Sequence, residues 1–248
     1  MESTGGNGSE PTVVLVHGAW GDATGFDPVI RQLHDQGYSI VGFANPLRGL
    51  EGDSKYLADL LKTIEGPIVL VGHSYGGAVI TNAASGNDQV VALVYLNGWA
   101  LDEGESIGQL LELNEGSLIP AALKEVSLTN PDGSEGVDLY LDQDAFPAAF
   151  AGDVDDDTAR VMAAALRPWS VAALGAASGP PAWKSIPSWY LLGTEDKAIP
   201  PATQRFMAER AESTIEEVPA SHASFVSQPD AVTNLIVTAA TASAGEAA

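Results

Sequence analysis

At 248 residues with 45% hydrophobic composition, the chain is long enough for one large domain, or for a core domain that carries an inserted one. Its 33 acidic and 11 basic residues give a net charge of −22, which argues against nucleic-acid and anionic-membrane partners because the mean field repels both. With no cysteine, the chain has no disulfide, no thiolate nucleophile and no zinc-thiolate site.

The first stretch, MESTGGNGSE, holds nothing to bury and reads as a disordered tail over residues 1–10. It lacks the basic and apolar regions of a secretory signal, and no apolar run approaches the length of a membrane span, so a soluble, cytoplasmic protein is expected. Strand-length apolar runs follow at Thr12 to Val16, Ser39 to Phe43, Ile68 to Val71, Val90 to Leu96 and Ser188 to Leu192, with a weaker sixth at Thr214 to Val218. Their continuity, without alternation, predicts strands buried on both faces, as in a parallel sheet.

Helical patterns fill the gaps. Asp27 and Pro28 read as an N-cap and first-turn proline before Val29, Ile30 and Leu33, with Gly37 as the stop. Ser54 reads as the cap of a second helix whose apolar face is Tyr56, Leu57, Leu60, Leu61 and Ile64, ended by Gly66. A third begins after Ser74, a fourth covers about Ala202 to Ala211, and the last about Asp230 to Ala240. This alternation predicts an α/β fold: a mostly parallel sheet with helices on both faces. It breaks between Leu101 and Ile186, where Asn130-Pro131-Asp132-Gly133 signals a hairpin and VDDDTARVMAAAL a helix with acids in its first turn. The expected organisation is a core of residues 11–100 and 187–248 with a cap, or lid, inserted at 101–186.

One motif carries chemistry. Gly72-His73-Ser74-Tyr75-Gly76 fits G-x-S-x-G, follows a buried strand and precedes a helix, the setting of a strained turn that exposes a nucleophilic serine. A serine hydroxyl needs a base, and the base an orienting acid, expected in the chain order serine, acid, histidine. Of His17, His34, His73 and His222, only His222 lies beyond the motif, so it is the expected base; His17 and His73 are read as supporting groups and His34 as an exposed helix residue. Asp196, just past the fifth strand, is the first choice of acid, with Glu195 and then Asp102 as alternatives. Backbone N–H groups of Ala19 and Tyr75 are expected to bind the oxyanion. Trp20, Trp99, Phe146, Phe150, Trp169 and Trp183 are the candidate lining of an apolar substrate pocket, and Arg167 and Lys184 the cations able to pair with a substrate carboxylate. No H-x-x-x-H or H-E-x-x-H spacing offers a metal site, so neither metal nor cofactor is expected.

Taken together, HGAW, GHSYGG, GTEDKAIP and SHASF resemble the α/β-hydrolase superfamily over residues 12–240. Within it the chain looks like the compact branch of methylesterase-like and hydroxynitrile-lyase-like enzymes and bacterial serine esterases. The resemblance implies a six-stranded parallel core, a cap after the fourth strand, a metal-free serine mechanism and a triad of Ser74, Asp196 and His222. Ser74 argues against dehalogenases and epoxide hydrolases, which carry aspartate at the elbow. Gly18 and Ala223 stand where the hydroxynitrile lyases carry threonine and lysine. The expected function is hydrolysis of a small, largely apolar ester or lactone through an acyl-enzyme. A triad-retaining ligand-binding or signalling module, a cofactor-free haloperoxidase and a C–C bond hydrolase remain alternatives. The partner is a small-molecule substrate, and the sequence sets no oligomeric state.

Overall fold

The computed structural model describes residues 10–130 and 132–246; of the tail expected at 1–10, all but Glu10 lies outside the described residues. Strand β1 (Thr12–Val16) leads through a one-turn helix, Ala23–Phe26, into α1 (Asp27–Asp35), followed by β2 (Ile40–Phe43), α2 (Leu50–Leu61), β3 (Ile68–His73), α3 (Tyr75–Ala83) and β4 (Val90–Leu96). Then come α4 (Ile107–Leu111), α5 (Ile119–Ala122), β5 (Leu123–Thr129), β6 (Glu135–Leu141), α6 (Phe146–Phe150), α7 (Asp156–Ala164), β7 (Trp169–Ser170) and α8 (Val171–Gly175). The core resumes with β8 (Ser188–Gly193), α9 (Pro201–Arg210), β9 (Thr214–Val218), α10 (Ser224–Ser227) and α11 (Pro229–Glu246).

Six strands pair in the order β2-β1-β3-β4-β8-β9, all parallel. Alternate residues of β1 point to opposite faces, so both faces need cover. Val13 and Leu15 pack with Val29 and Leu33 of α1 and Val232, Leu235 and Ile236 of α11. Val14 and Val16 belong to the other cluster, with Leu57 and Leu61 of α2, Val79 and Ile80 of α3 and Met207 of α9. Each such fully buried aliphatic side chain contributes about 1.5–3 kcal/mol relative to exposure. Among the described residues, no helix is long and apolar enough to cross a membrane.

Several local expectations are corrected. The sheet has edges, so β2 and β9 are only partly buried, unlike β1, β3, β4 and β8. Asp27 is the first residue of α1 rather than its cap, because the preceding one-turn helix runs directly into it; the capping carboxylate is Asp22, which accepts from the Thr24 amide at 2.8 Å. Helix α2 starts at Leu50, four residues before Ser54, because Asp53 reaches back from inside the helix to accept from the amides of Arg48 (3.0 Å) and Gly49 (3.3 Å). Tyr56 is 59% exposed, its ring packing against that of Phe43 at 5.6 Å.

The segment between β4 and β8 forms its own antiparallel sheet, β5-β6-β7. Its hairpin closes with the Asn130 amide donating to the Ser134 carbonyl at 2.8 Å; Pro131 lies outside the described residues. Asp155 caps α7, with Asp156 and Asp157 in the first turn where the helix dipole favours negative charge.

The strand order positions the site. From β1 the chain goes to β2 on one side, and from β3 to β4 on the other, so a crevice opens past the C-terminal ends of β1 and β3. The residues that leave those two ends are His17 to Ala19 and Ser74 to Tyr75.

Candidate active site

Ser74 sits between β3 and α3 with φ 51° and ψ −121°, a conformation that non-glycine residues avoid and that costs about 1–3 kcal/mol. Surrounding bonds hold it there. Its N–H donates to the Leu96 carbonyl at 3.2 Å, and its own carbonyl accepts from Gly77 at 2.9 Å and Trp99 at 3.1 Å. The glycines of the motif make room: a Cβ on Gly72 would stand 2.6 Å from the Gly76 carbonyl oxygen, and one on Gly76 would overlap the Val16 carbonyl. Strand β3 thus meets helix α3 backbone to backbone, beside β1.

His222, in the loop after β9, lines the same cavity as Ser74. Its Nδ1–H donates to Asp196 Oδ2 at 2.7 Å, both residues being 1% exposed. Because a carboxylate can only accept, this bond assigns the imidazole proton to Nδ1 and leaves Nε2 for proton exchange. Of the three carboxylates weighed, Asp196 is the one brought to His222. Glu195 is exposed, and Asp102 pairs with Lys184 at 2.5 Å.

Asp196 is fully engaged. Oδ1 accepts from the Ala198 and Ile199 amides at 2.7 and 2.9 Å, and Oδ2 accepts, besides His222, from Asn97 Nδ2 at 2.9 Å and Gln204 Nε2 at 2.8 Å. Asn97 also holds the histidine loop, its Oδ1 accepting from Ser224 Oγ at 2.6 Å. Neither Asn97 nor Gln204 was foreseen. Asn97 had a signal: like Ser74, it is a polar residue at the end of a buried strand, next to a glycine.

The remaining histidines separate by environment. His17 Nδ1–H donates to the Gly18 carbonyl at 2.9 Å and its Nε2 accepts from the Asn45 amide at 3.0 Å, which requires a neutral ring. Burial pushes its pKa down to about 4. His73, also held well below the ordinary histidine range by burial, donates from Nε2 to the His222 carbonyl at 2.9 Å and so tethers the loop that carries His222. His34 is exposed on α1.

At the crevice, the Ala19 amide lies outside helix and strand and the Tyr75 amide opens α3; among the described residues neither has an acceptor. The Tyr75 side chain is not incidental. It is fully buried and its hydroxyl donates to Asp53 Oδ2 at 2.7 Å, anchoring the residue after Ser74 to the start of α2.

The aromatic candidates divide three ways. Trp20, Trp99 and Trp169 line the cavity that contains Ser74 and His222, together with Ile107, Leu123 and Ile199. Phe146 and Phe150 line a neighbouring cavity beside Gly18 and His73, and the Phe150 ring stands edge-on to His222 at 4.6 Å. Trp183 lines neither: its indole donates to the Leu101 carbonyl at 2.9 Å and its ring lies under Lys184 and Arg210. Lys184 is committed to Asp102, and the Arg167 amide donates to the Trp20 carbonyl at 2.9 Å. Among the described residues, no three His, Asp or Glu side chains gather in a way that would hold a metal ion.

Comparisons with known proteins accord with this architecture. A model of the alpha/beta hydrolase family matches residues 13–235. The chain is 26% identical over 252 residues to the alpha/beta hydrolase nvfD of Aspergillus novofumigatus, covering 93% of this chain and 97% of that one. It is 29% identical over 248 residues to a pyrethroid hydrolase of Sphingobium wenxiniae, covering 90% and 85%. The solved structure of polyneuridine aldehyde esterase superposes with a TM-score of 0.80 at 18% identity, over 93% of this chain and 99% of that one, a likeness of fold.

Proposed function

The chain belongs to the alpha/beta hydrolase family, and we propose that it is a serine hydrolase that cleaves small, largely apolar esters or lactones through an acyl-enzyme. The observation that carries this reading is the buried His222–Asp196 pair at 2.7 Å, whose histidine lines one cavity with a serine held at positive φ. Relatives named as a pyrethroid hydrolase and a carbendazim hydrolyzing esterase support ester chemistry.

In the proposed reaction Ser74 Oγ attacks the carbonyl carbon while His222 Nε2 takes its proton, and Asp196 holds the imidazole in the right tautomer and stabilises the cation that forms. The Ala19 and Tyr75 amides donate to the oxyanion, without reorganisation because both are fixed by the fold. His222 then returns the proton to the leaving alcohol. Water, activated by the same imidazole, releases the acid. Nucleophile, base and donors all come from the chain, so the reading calls on no cofactor. The apolar walls favour apolar substrate groups by about 0.8 kcal/mol per buried methylene. In this reading residues 101–186 act as the cap: α6 and β7 bring Phe146, Phe150 and Trp169 to the two cavities.

The test is labelling by a fluorophosphonate combined with multiple-turnover hydrolysis of aryl esters. Wild-type protein should label once per chain and turn over; Ser74→Ala should lose labelling and at least about a thousandfold in kcat while keeping its Tm within a few degrees. Stoichiometric labelling with a single burst and no further turnover would instead favour a binding module that retains the triad.

A further inference from the structure

Two cavities meet at Trp20, one lined by Ser74 itself and the other by Gly18, Ala19 and His73 beside it. An inner one of about 30 Å³ holds Ser74 and His222 among apolar walls. An outer one of about 110 Å³ runs along Gly18 and Ala19 to Phe146 and Phe150. Trp20 is the residue common to both linings.

Trp20 is held in that position at a cost. Its φ is +63°, an outlier for so bulky a residue, and its ring is 5% exposed. Three contacts from the segment between β4 and β8 keep it there: its indole N–H donates to the Leu139 carbonyl at 2.9 Å, its carbonyl accepts from the Arg167 amide at 2.9 Å, and its ring meets Trp169 edge-on at 5.3 Å. It also directly follows Ala19, whose amide has no acceptor among the described residues. Strain of this kind persists where surrounding structure over-determines it, and such places are enriched in functional walls and clamps.

Resting on the serine-hydrolase reading, we propose that Trp20 is a partition that sorts the two substituents of an open-chain ester into separate chambers, and so determines specificity. The substrate class that follows is an ester whose acyl and alkoxy groups are both uncharged and apolar, with the smaller group in the inner chamber. Lactones are disfavoured. Their acyl and alkoxy ends belong to one ring and cannot lie on opposite sides of an indole.

The experiment compares wild type, Trp20→Phe, Trp20→Leu and Trp20→Ala on p-nitrophenyl acetate, butyrate and octanoate and on δ-valerolactone, with fluorophosphonate labelling of each preparation as an independent readout. Trp20→Ala should raise the octanoate-to-acetate ratio of kcat/KM by about tenfold or more and raise the lactone-to-acetate ratio as well, since the two chambers merge. Trp20→Phe should keep both ratios near wild type, because the ring still divides the space. Trp20→Leu should move both ratios part of the way, and carries the test should Trp20→Ala fail to fold. A merely structural tryptophan would lower all substrates together; ratios unchanged within about twofold in labelled Trp20→Ala or Trp20→Leu protein would overturn the partition alone. Wild-type protein that neither labels nor turns over would remove the serine-hydrolase reading and the partition with it.

Discussion

Asn97 Nδ2 donates to Asp196 Oδ2 at 2.9 Å across 99 positions of sequence, on the same oxygen that accepts from His222. Replacing that donor by a carboxylate in Asn97→Asp puts two acidic groups against each other in a buried site, where both cannot ionise together. Under the triad reading, kcat should fall at least about tenfold and the acidic limb of its pH profile should move up by about one unit or more. Asn97→Ala removes the donor without adding charge, so its kcat should fall while the limb moves less. The check is kcat between pH 5 and 9 for both variants; unchanged profiles would mean that Asn97 does not control Asp196.

Asp196→Asn should reduce kcat by about 10⁴, since an amide there no longer fixes the proton on His222 Nδ1. Glu195→Gln alters an exposed side chain and should stay within about twofold of wild type. Steady-state kinetics on one aryl ester decides between the neighbours.

Stability should decline on acidification. His17 is neutral and buried in the folded protein with its pKa near 4, against an ordinary value of 6.5, so the unfolded chain binds the proton more readily. Stability is therefore full above about pH 6.5 and is lost as pH falls through about 4, with a maximal loss of about 3 kcal/mol from His17 alone. His73, shifted in the same direction, steepens the fall. His17→Gln should be less stable at pH 7 through its lost hydrogen bonds, yet show a shallower decline of Tm from pH 7 to 4.

Two glycines should respond oppositely to alanine. In Gly72→Ala the new methyl would meet backbone at Gly76, which cannot yield cheaply, so a loss of more than about 3 kcal/mol or failure to fold is expected. In Gly52→Ala, exposed within α2 with nothing within 4 Å of a new Cβ, stability should rise by about 0.4–1 kcal/mol. Urea midpoints measure both.

Local pattern and counting made much of this protein legible from its residues. All six core strands lie within two residues of their apolar runs, and for the four inner ones the reason is that a strand buried between helices has no polar side to interrupt it. The turn around Ser74 was readable because only glycine tolerates backbone approach that close, and His222 because no other histidine follows the motif.

What tertiary structure alone decided depends on side-chain direction and on partners far apart in the chain. Glu195 and Asp196 are adjacent carboxylates of nearly equal chemistry, yet one faces solvent and the other is buried against His222. That choice is made by the backbone as it leaves β8, where Oδ1 of Asp196 closes onto the amides of Ala198 and Ile199. The same holds for Asn97 and Gln204, whose donors converge on one oxygen only when β4, β8 and α9 are packed together. It holds too for the tryptophans: Trp20 and Trp169 reach the cavity with Ser74 while Trp183 does not, because the fold between β4 and β8, rather than aromatic character, sets which rings face it.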